Sequence, residues 1–302
     1  MAQENEHHGF SGTSAPHQPA ASTLATIPQQ AGVLTQISVD DPWQDLKQFT
    51  QARIALGRTG SSLTTKAVLD FSCAHAMARD AVHLALDVNV LADNLHNQGL
   101  NTLQVHSRAT DRHSYLLRPD LGRRLDDVSV SLLQQYSQRH YFQHHSEKPI
   151  DLLLVVGDGL SSMAITQQAA KLIAEIQLQI PSHWTLGPVV IAQQARVALA
   201  DEVSELLNAR MVAMLIGERP GLSSPDSLGV YLTYNAKVGC TDADRNCISN
   251  VRPEGLVHAA AAKKLLWLCE AATRMQISGV ALKDESDTGG FIAAAPVSLA
   301  EN

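Results

Sequence analysis

Three apolar runs, "IDLLLVVGDGLSS", "GPVVIAQQAR" and "MVAMLIGERPG", restrict this chain more than anything else in it. Each is a short greasy stretch that stops abruptly at glycine or glutamine. Between them lie "MAITQQAAKLIAEIQLQI" and "DEVSELLNAR", and in the second Val203, Leu206 and Leu207 share one helical face. A strand without a polar side must be covered on both faces. Strands that alternate with helices run parallel, because each helix returns the chain to its starting edge. The expected fold class is therefore α/β, a parallel sheet with flanking helices. "LGVYLTYN" is expected to add a fourth strand. "HAAAAKKLLWLCEAATRM" closes the fold as a helix with Leu265, Leu268, Ala272 and Met275 on one stripe.

The first 40 residues are different. They are rich in Gln, Ser, Ala, Pro and His, lack a sustained apolar period, and read as a disordered tail with a short apolar segment at Val33–Ile37. From Asp41 to residue 100 the pattern is helical and predicts a small N-terminal helical domain. Pro42 suits a first helical position, Thr64 or Thr65 suits a cap, and the polar "DNLHNQGLN" closes the region. Residues 101–302 form the α/β domain. It opens with "TLQVHSRA" as a strand and "SYLLRPD" as an extended piece. A helix then starts at Pro119 and Asp120, with Leu121, Leu125, Val128 and Leu132 in period.

Composition excludes several functions. With 302 residues, 45% apolar and 18% charged, the chain can build a substantial core, and its net charge of −7 disfavours nucleic acid and anionic membranes as partners. No run of 18 apolar residues spans a bilayer. The tail holds Glu4, Glu6 and Asp40 but no Lys or Arg, unlike a secretory or transit peptide. Cys73, Cys240, Cys247 and Cys269 have no C-x-x-C spacing, so reduced thiols in the cytoplasm are expected. The 13 histidines form no H-E-x-x-H pattern and are read as surface residues, not metal ligands.

In an open parallel sheet, ligands bind beyond the carboxyl ends of the strands. Three such ends carry Gly157-Asp158-Gly159-Leu160-Ser161-Ser162, then Gln193, Gln194, Arg196 and Val197, then Gly217-Glu218-Arg219-Pro220-Gly221. The first falls short of a dinucleotide fingerprint, since Ser162 stands where the third glycine belongs. A tight turn with an aspartate cap fits it better. Taken alone, Glu218-Arg219 reads as a local ion pair. Asp111-Arg112-His113 starts like the D-x-H-x-x-G pattern of base-off cobalamin proteins, but Leu116 replaces its glycine. Cys247 lies in the polar stretch "TDADRNCISNVRPEG", expected to be a loop for a polar ligand or an interface.

Taken in order, "ARIALGRTGSSLTTKAVLDF", "YLLRPDLGRRL", "VVGDGLSS", "MLIGERPGLSSPDSLGVYLTY" and "DADRNCISNVRPEG" resemble the small (light) subunit of ethanolamine ammonia-lyase, from about residue 43 to about residue 285. The resemblance implies a Rossmann-like domain that covers adenosylcobalamin from one side, while a large (β/α)8 subunit carries substrate and most catalytic side chains. Several large–small pairs would assemble to convert ethanolamine to acetaldehyde and ammonia. Carried over by motif, the cobalamin contacts fall on Val197 in "ARVAL", Glu218 in "GERPGL" and Cys247 in "RNCISN". No catalytic acid, base or nucleophile is expected on this chain. Such enzymes are often housed in bacterial microcompartments, entered through amphipathic N-terminal helices. Pro16, Pro19 and Pro28 oppose such a helix, so the cytoplasm is the expected location. A Rossmann-type nucleotide-binding enzyme and a non-catalytic interaction subunit are the alternatives.

Overall fold

A computed structural model describes residues 42–50, 52–144 and 150–286. The expected tail, with its Val33–Ile37 segment, lies outside the described residues. Pro42–Phe49 forms a 3-10 helix. Helices α1 (Thr65–His83) and α2 (Val88–Asn97) follow, and the Thr64 hydroxyl caps α1 by accepting from the Ala67 N–H. After strand β1 (Thr102–His106) come helices α3 (Arg112–Leu117) and α4 (Asp127–His144). Strand β2 (Ile150–Gly157) leads into a helix built of α5 (Ser162–Ala164), a π turn (Ile165–Ala169) and α6 (Ala170–Gln179). The chain continues through β3 (Val189–Gln193), α7 (Leu199–Leu206), β4 (Ala209–Gly217), β5 (Leu228–Tyr234), β6 (Arg245–Val251) and α8 (His258–Met275).

The six strands form one sheet in the order β1-β3-β2-β4-β5-β6. The apolar runs are its centre, as their composition requires. Leu152, Leu154 and Val156 of β2 pack with Leu172, Ile173 and Ile176 of α6 and with α8. The alternate residues Leu153 and Val155 pack on the opposite face with Leu133 of α4 and Val203 of α7. This period-2 split is what a strand buried on both sides must show.

The expectation of a parallel sheet needs correction: the sheet is mixed. The pairs β1–β3, β3–β2 and β2–β4 are parallel, whereas β4–β5 and β5–β6 are antiparallel. The reason lies in the connection. Between Gly217 and Leu228 the chain has no helix to carry it back across the sheet, so β5 must return in the opposite direction.

Several local expectations also change. "DNLHNQGLN" is partly helical: Leu91, Ala92 and Leu95 of α2 are buried, an apolar face hidden among polar neighbours, and Asp87 caps the helix. "SYLLRPD" is not extended, because Asp111 accepts from the Ser114 N–H and starts α3 above the buried Tyr115. The helix expected from Pro119 begins at Asp127, after a 3-10 turn at Leu121–Arg123, and Asp126 accepts from the Ser129 N–H. Ser129 and Leu133 are buried in it, while Val128 and Leu132 point outward. The polar "RNCISNV" is strand β6, not a loop. In the closing helix, Leu265, Leu268 and Ala272 are buried as expected but Met275 is half exposed. Among the described residues no helix is long and apolar enough to cross a membrane.

Candidate functional site

Strand β2 lies between β3 and β4, so the chain leaves β2 on one side and later returns on the other. Such a reversal opens a crevice beyond the carboxyl ends of the strands. Three loops meet there, following β2, β3 and β4.

Backbone contacts hold these loops together. Asp158 is buried and accepts from the Gln194 N–H at 3.0 Å and the Ala195 N–H at 2.9 Å, tying the end of β2 to the end of β3. An Arg112 nitrogen lies 3.6 Å from the same carboxylate. Burial raises the Asp158 pKa, and the Ala195 N–H and Arg112 oppose that shift. The Leu160 N–H donates to the Gly217 carbonyl at 2.9 Å, joining the β2 and β4 loops. A Cβ on Gly159, where φ is +55°, would lie 2.3 Å from that carbonyl oxygen. Gly157-Asp158-Gly159 is thus a loop-joining turn whose carboxylate is taken up by neighbouring N–H groups.

Beneath the loops sits Tyr115, fully buried, with Arg112 and Arg196 guanidinium carbons 4.7 Å and 4.3 Å from its ring centre. Its hydroxyl donates to the Ala195 carbonyl at 3.1 Å, and burial pushes its pKa up to about 12. It is a permanent donor and a platform for two cations.

A cavity of about 490 Å³ lies over this platform. Val197 and Glu218 both line it, together with Leu160, Arg196, Arg219 and Tyr231. Glu218 does not pair with Arg219, contrary to the local reading of the sequence. Its Oε2 accepts a short hydrogen bond from the Ser227 hydroxyl and a second, at 3.2 Å, from the Asn250 N–H. Its stem lies over Gly229, where an added Cβ would sit 3.1 Å from the Glu218 Cγ. The loop behind Glu218 is anchored in turn. The Ser161 hydroxyl donates to the Pro225 carbonyl at 2.6 Å, and Gln168, buried in the π turn, donates to Asp226 at 3.0 Å.

Cys247 stands apart from the cavity. It is exposed on β6, directly across from Tyr231 of β5. Partial shielding of the sulfur from water raises its pKa, and the nearby Glu218 charge adds to that. Desolvation, reinforced by Cys247, likewise raises the Tyr231 hydroxyl. Such a thiol stays protonated at neutral pH and is a poor nucleophile. The structure therefore puts Val197 and Glu218 in one cavity, with Cys247 one strand further out behind Tyr231. Sequence reasoning missed Tyr115 and Tyr231. The second was legible: alternation in "LGVYLTYN" puts Tyr231 on the opposite face from Val230 and Leu232. Among the described residues, no group of three or more His, Cys, Asp or Glu is placed to hold a metal ion.

A family model described as "Ethanolamine ammonia-lyase light chain (EutC)" matches residues 40–283. The ethanolamine ammonia-lyase small subunit of Pseudomonas putida is 55% identical over 249 residues, covering 82% of this chain and 89% of the relative. That of Pseudomonas aeruginosa is 52% identical over 264 residues, covering 87% and 94%. That of Pseudomonas syringae is 55% identical over 247 residues, covering 82% and 84%.

Proposed function

Because this chain belongs to the ethanolamine ammonia-lyase light-chain family, we propose that it is the subunit that grips adenosylcobalamin against a larger catalytic partner. The complex would act in the cytoplasm as a carbon–nitrogen lyase, turning ethanolamine into acetaldehyde and ammonia. The observation that carries this reading is the meeting of Val197 and Glu218 in one cavity at the reversal of strand order, with Cys247 behind the cavity residue Tyr231. Residues 101–302 would be the cofactor domain and residues 41–100 a helical portion in front of it.

The residues present suit a corrinoid. A cavity of about 490 Å³ encloses an ordinary small ligand, whereas a corrinoid is larger and would fill it with only part of its surface. That fits a cofactor shared between two chains. The rim of a corrin carries amides, and Glu218 offers Oε1, the oxygen that its bonds to Ser227 and Asn250 do not use. A carboxylate oxygen accepts from amide N–H groups without moving a proton. Val197 supplies apolar contact, and Cys247 packs as a small soft group. When bound, the cofactor supplies the carbon radical that takes hydrogen from the substrate. This chain's own work is to bind, to orient and to keep water from the reacting centre. We assign it no catalytic acid, base or nucleophile.

The test is reconstitution. Neither this chain nor its large partner alone should release acetaldehyde from ethanolamine with adenosylcobalamin, and the mixture should. Turnover by this chain alone would sink the proposal, as would a complex that retains no cobalamin absorbance. Glu218→Ala should weaken cobalamin binding by the complex about 10–100-fold, the worth of about one charge-assisted hydrogen bond, with a smaller effect on folding. Equal losses of stability and cofactor would make Glu218 merely structural. Cys247→Ala should keep most of the turnover number, since a protonated thiol performs no chemistry here. A loss beyond about 100-fold in kcat with cofactor still bound would contradict that assignment.

A further inference from the structure

Helix α1 is built the wrong way round for a chain that works alone. Ala67, Ala74, Ala78 and Ala81 form the stripe that turns toward the rest of the protein, while Val68, Leu69, Phe71 and Met77 stay exposed. Those larger side chains are spread around the helix and not gathered on its inner face, a pattern that suits a helix enclosed by protein. The 3-10 segment before it repeats the feature, with Trp43 and Phe49 exposed. More than half of the large apolar side chains exposed among the described residues fall between Trp43 and Val90. Isolated apolar residues on a surface need no explanation, but a concentration of this kind marks an interaction site.

The helix is also tied to elements that build the cofactor cavity. At its carboxyl end, the Val82 carbonyl accepts from Arg112 at 2.6 Å and the Leu84 carbonyl accepts from the Ser162 hydroxyl at 2.6 Å. Arg112 neighbours Asp158, and Ser162 directly follows the turn after β2. At its amino end, Thr64, Lys66 and Ala67 share a cavity of about 350 Å³ with Ser223, from the loop that carries Glu218. The carboxyl end of α1 is therefore bonded to elements of the cofactor crevice, and its amino end shares a cavity with the loop behind Glu218.

We propose that the segment from Trp43 to Phe49 and the outer flanks of α1 form the docking face for the large subunit, an apolar platform bordering the shared cofactor. This rests on the reading of the chain as a light subunit. The attachment of α1 to the crevice decides the occupant: a chain that closes the crevice from outside reaches the helix bonded to Arg112 and Ser162. A docked partner would desolvate Phe49 and Leu69, which are now 78% and 64% exposed. Large apolar side chains buried at the centre of an interface supply most of its affinity.

The experiment uses the full chain and the large subunit without cofactor, so its outcome is separate from that of Glu218. Phe49→Glu with Leu69→Glu should weaken association by sedimentation at least tenfold, while circular dichroism and thermal melting of the isolated chain stay unchanged. Leu178→Glu, at a position 80% exposed on α6, is the control and should associate normally. Wild-type affinity in the double variant would overturn the proposal. So would a drop in its melting temperature alone, which would mean that the chain's own tail covers the face. A homodimer of the wild-type chain that the double variant abolishes, with large-subunit binding intact, would assign the face to a second copy and overturn it equally.

Discussion

Gly217→Ala should destabilise the chain by about 3 kcal/mol, at the upper end of what overpacking a rigid site costs, and should abolish cofactor binding as well. A Cβ there would lie 2.1 Å from the Ser161 carbonyl oxygen and 2.6 Å from that of Asp158. Both obstacles are backbone, so no side chain can rotate out of the way. Relief requires the β2 and β4 loops to separate, which breaks the Leu160 N–H bond to Gly217 and moves Glu218, the next residue. Denaturant unfolding measures the first effect, and cobalamin absorbance retained by the assembled complex measures the second. A variant within about 0.5 kcal/mol of the parent, the usual range of a harmless surface change, would show that the loops are free to part.

Asp201→Ala should cost about 3–5 kcal/mol, because it strands a buried guanidinium. Arg245 of β6 donates to both carboxylate oxygens of Asp201 on α7, at 2.6 Å and 2.7 Å, and also to Thr233 and the Cys240 carbonyl. Both side chains are almost wholly shielded from water. The pair pins the antiparallel edge of the sheet to the helical layer, two residues from Cys247. Removing both charges is a different matter: Asp201→Leu combined with Arg245→Met should recover most of the loss, since apolar groups of similar volume replace buried ion pairs at little cost. Equal instability in the single and double variants would show that the charge left behind was not the cause.

Much of the architecture was written locally. The runs at Leu152–Val156, Val189–Ala192 and Met211–Ile216 are apolar on both sides, and only a central strand satisfies that composition. The Thr64 cap was equally plain. Other elements were masked because their signals depend on what lies across from them. Strand β6 reads as polar because one of its faces holds Arg245 and Cys247, and the charge of the buried Arg245 is met by Asp201, 44 residues away. Val128 and Leu132 looked periodic, yet α4 is turned by the burial of Leu133 between sheet and helix. The site divides in the same way. Glu218 could be placed at the end of a strand by pattern and named by resemblance. That its partners are Ser227 and Asn250, not Arg219, depends on the return of β5 and β6 beside β4.

The sequence alone determined the α/β class, the central strands and the family, because apolar periodicity and ordered motifs are local properties of the chain. Tertiary structure alone decided the direction of β5 and β6, the ion pair that holds them, and the shared cavity of Val197 and Glu218. Those depend on contacts between distant residues, whose energies come from burial and from distances that no neighbouring residue encodes.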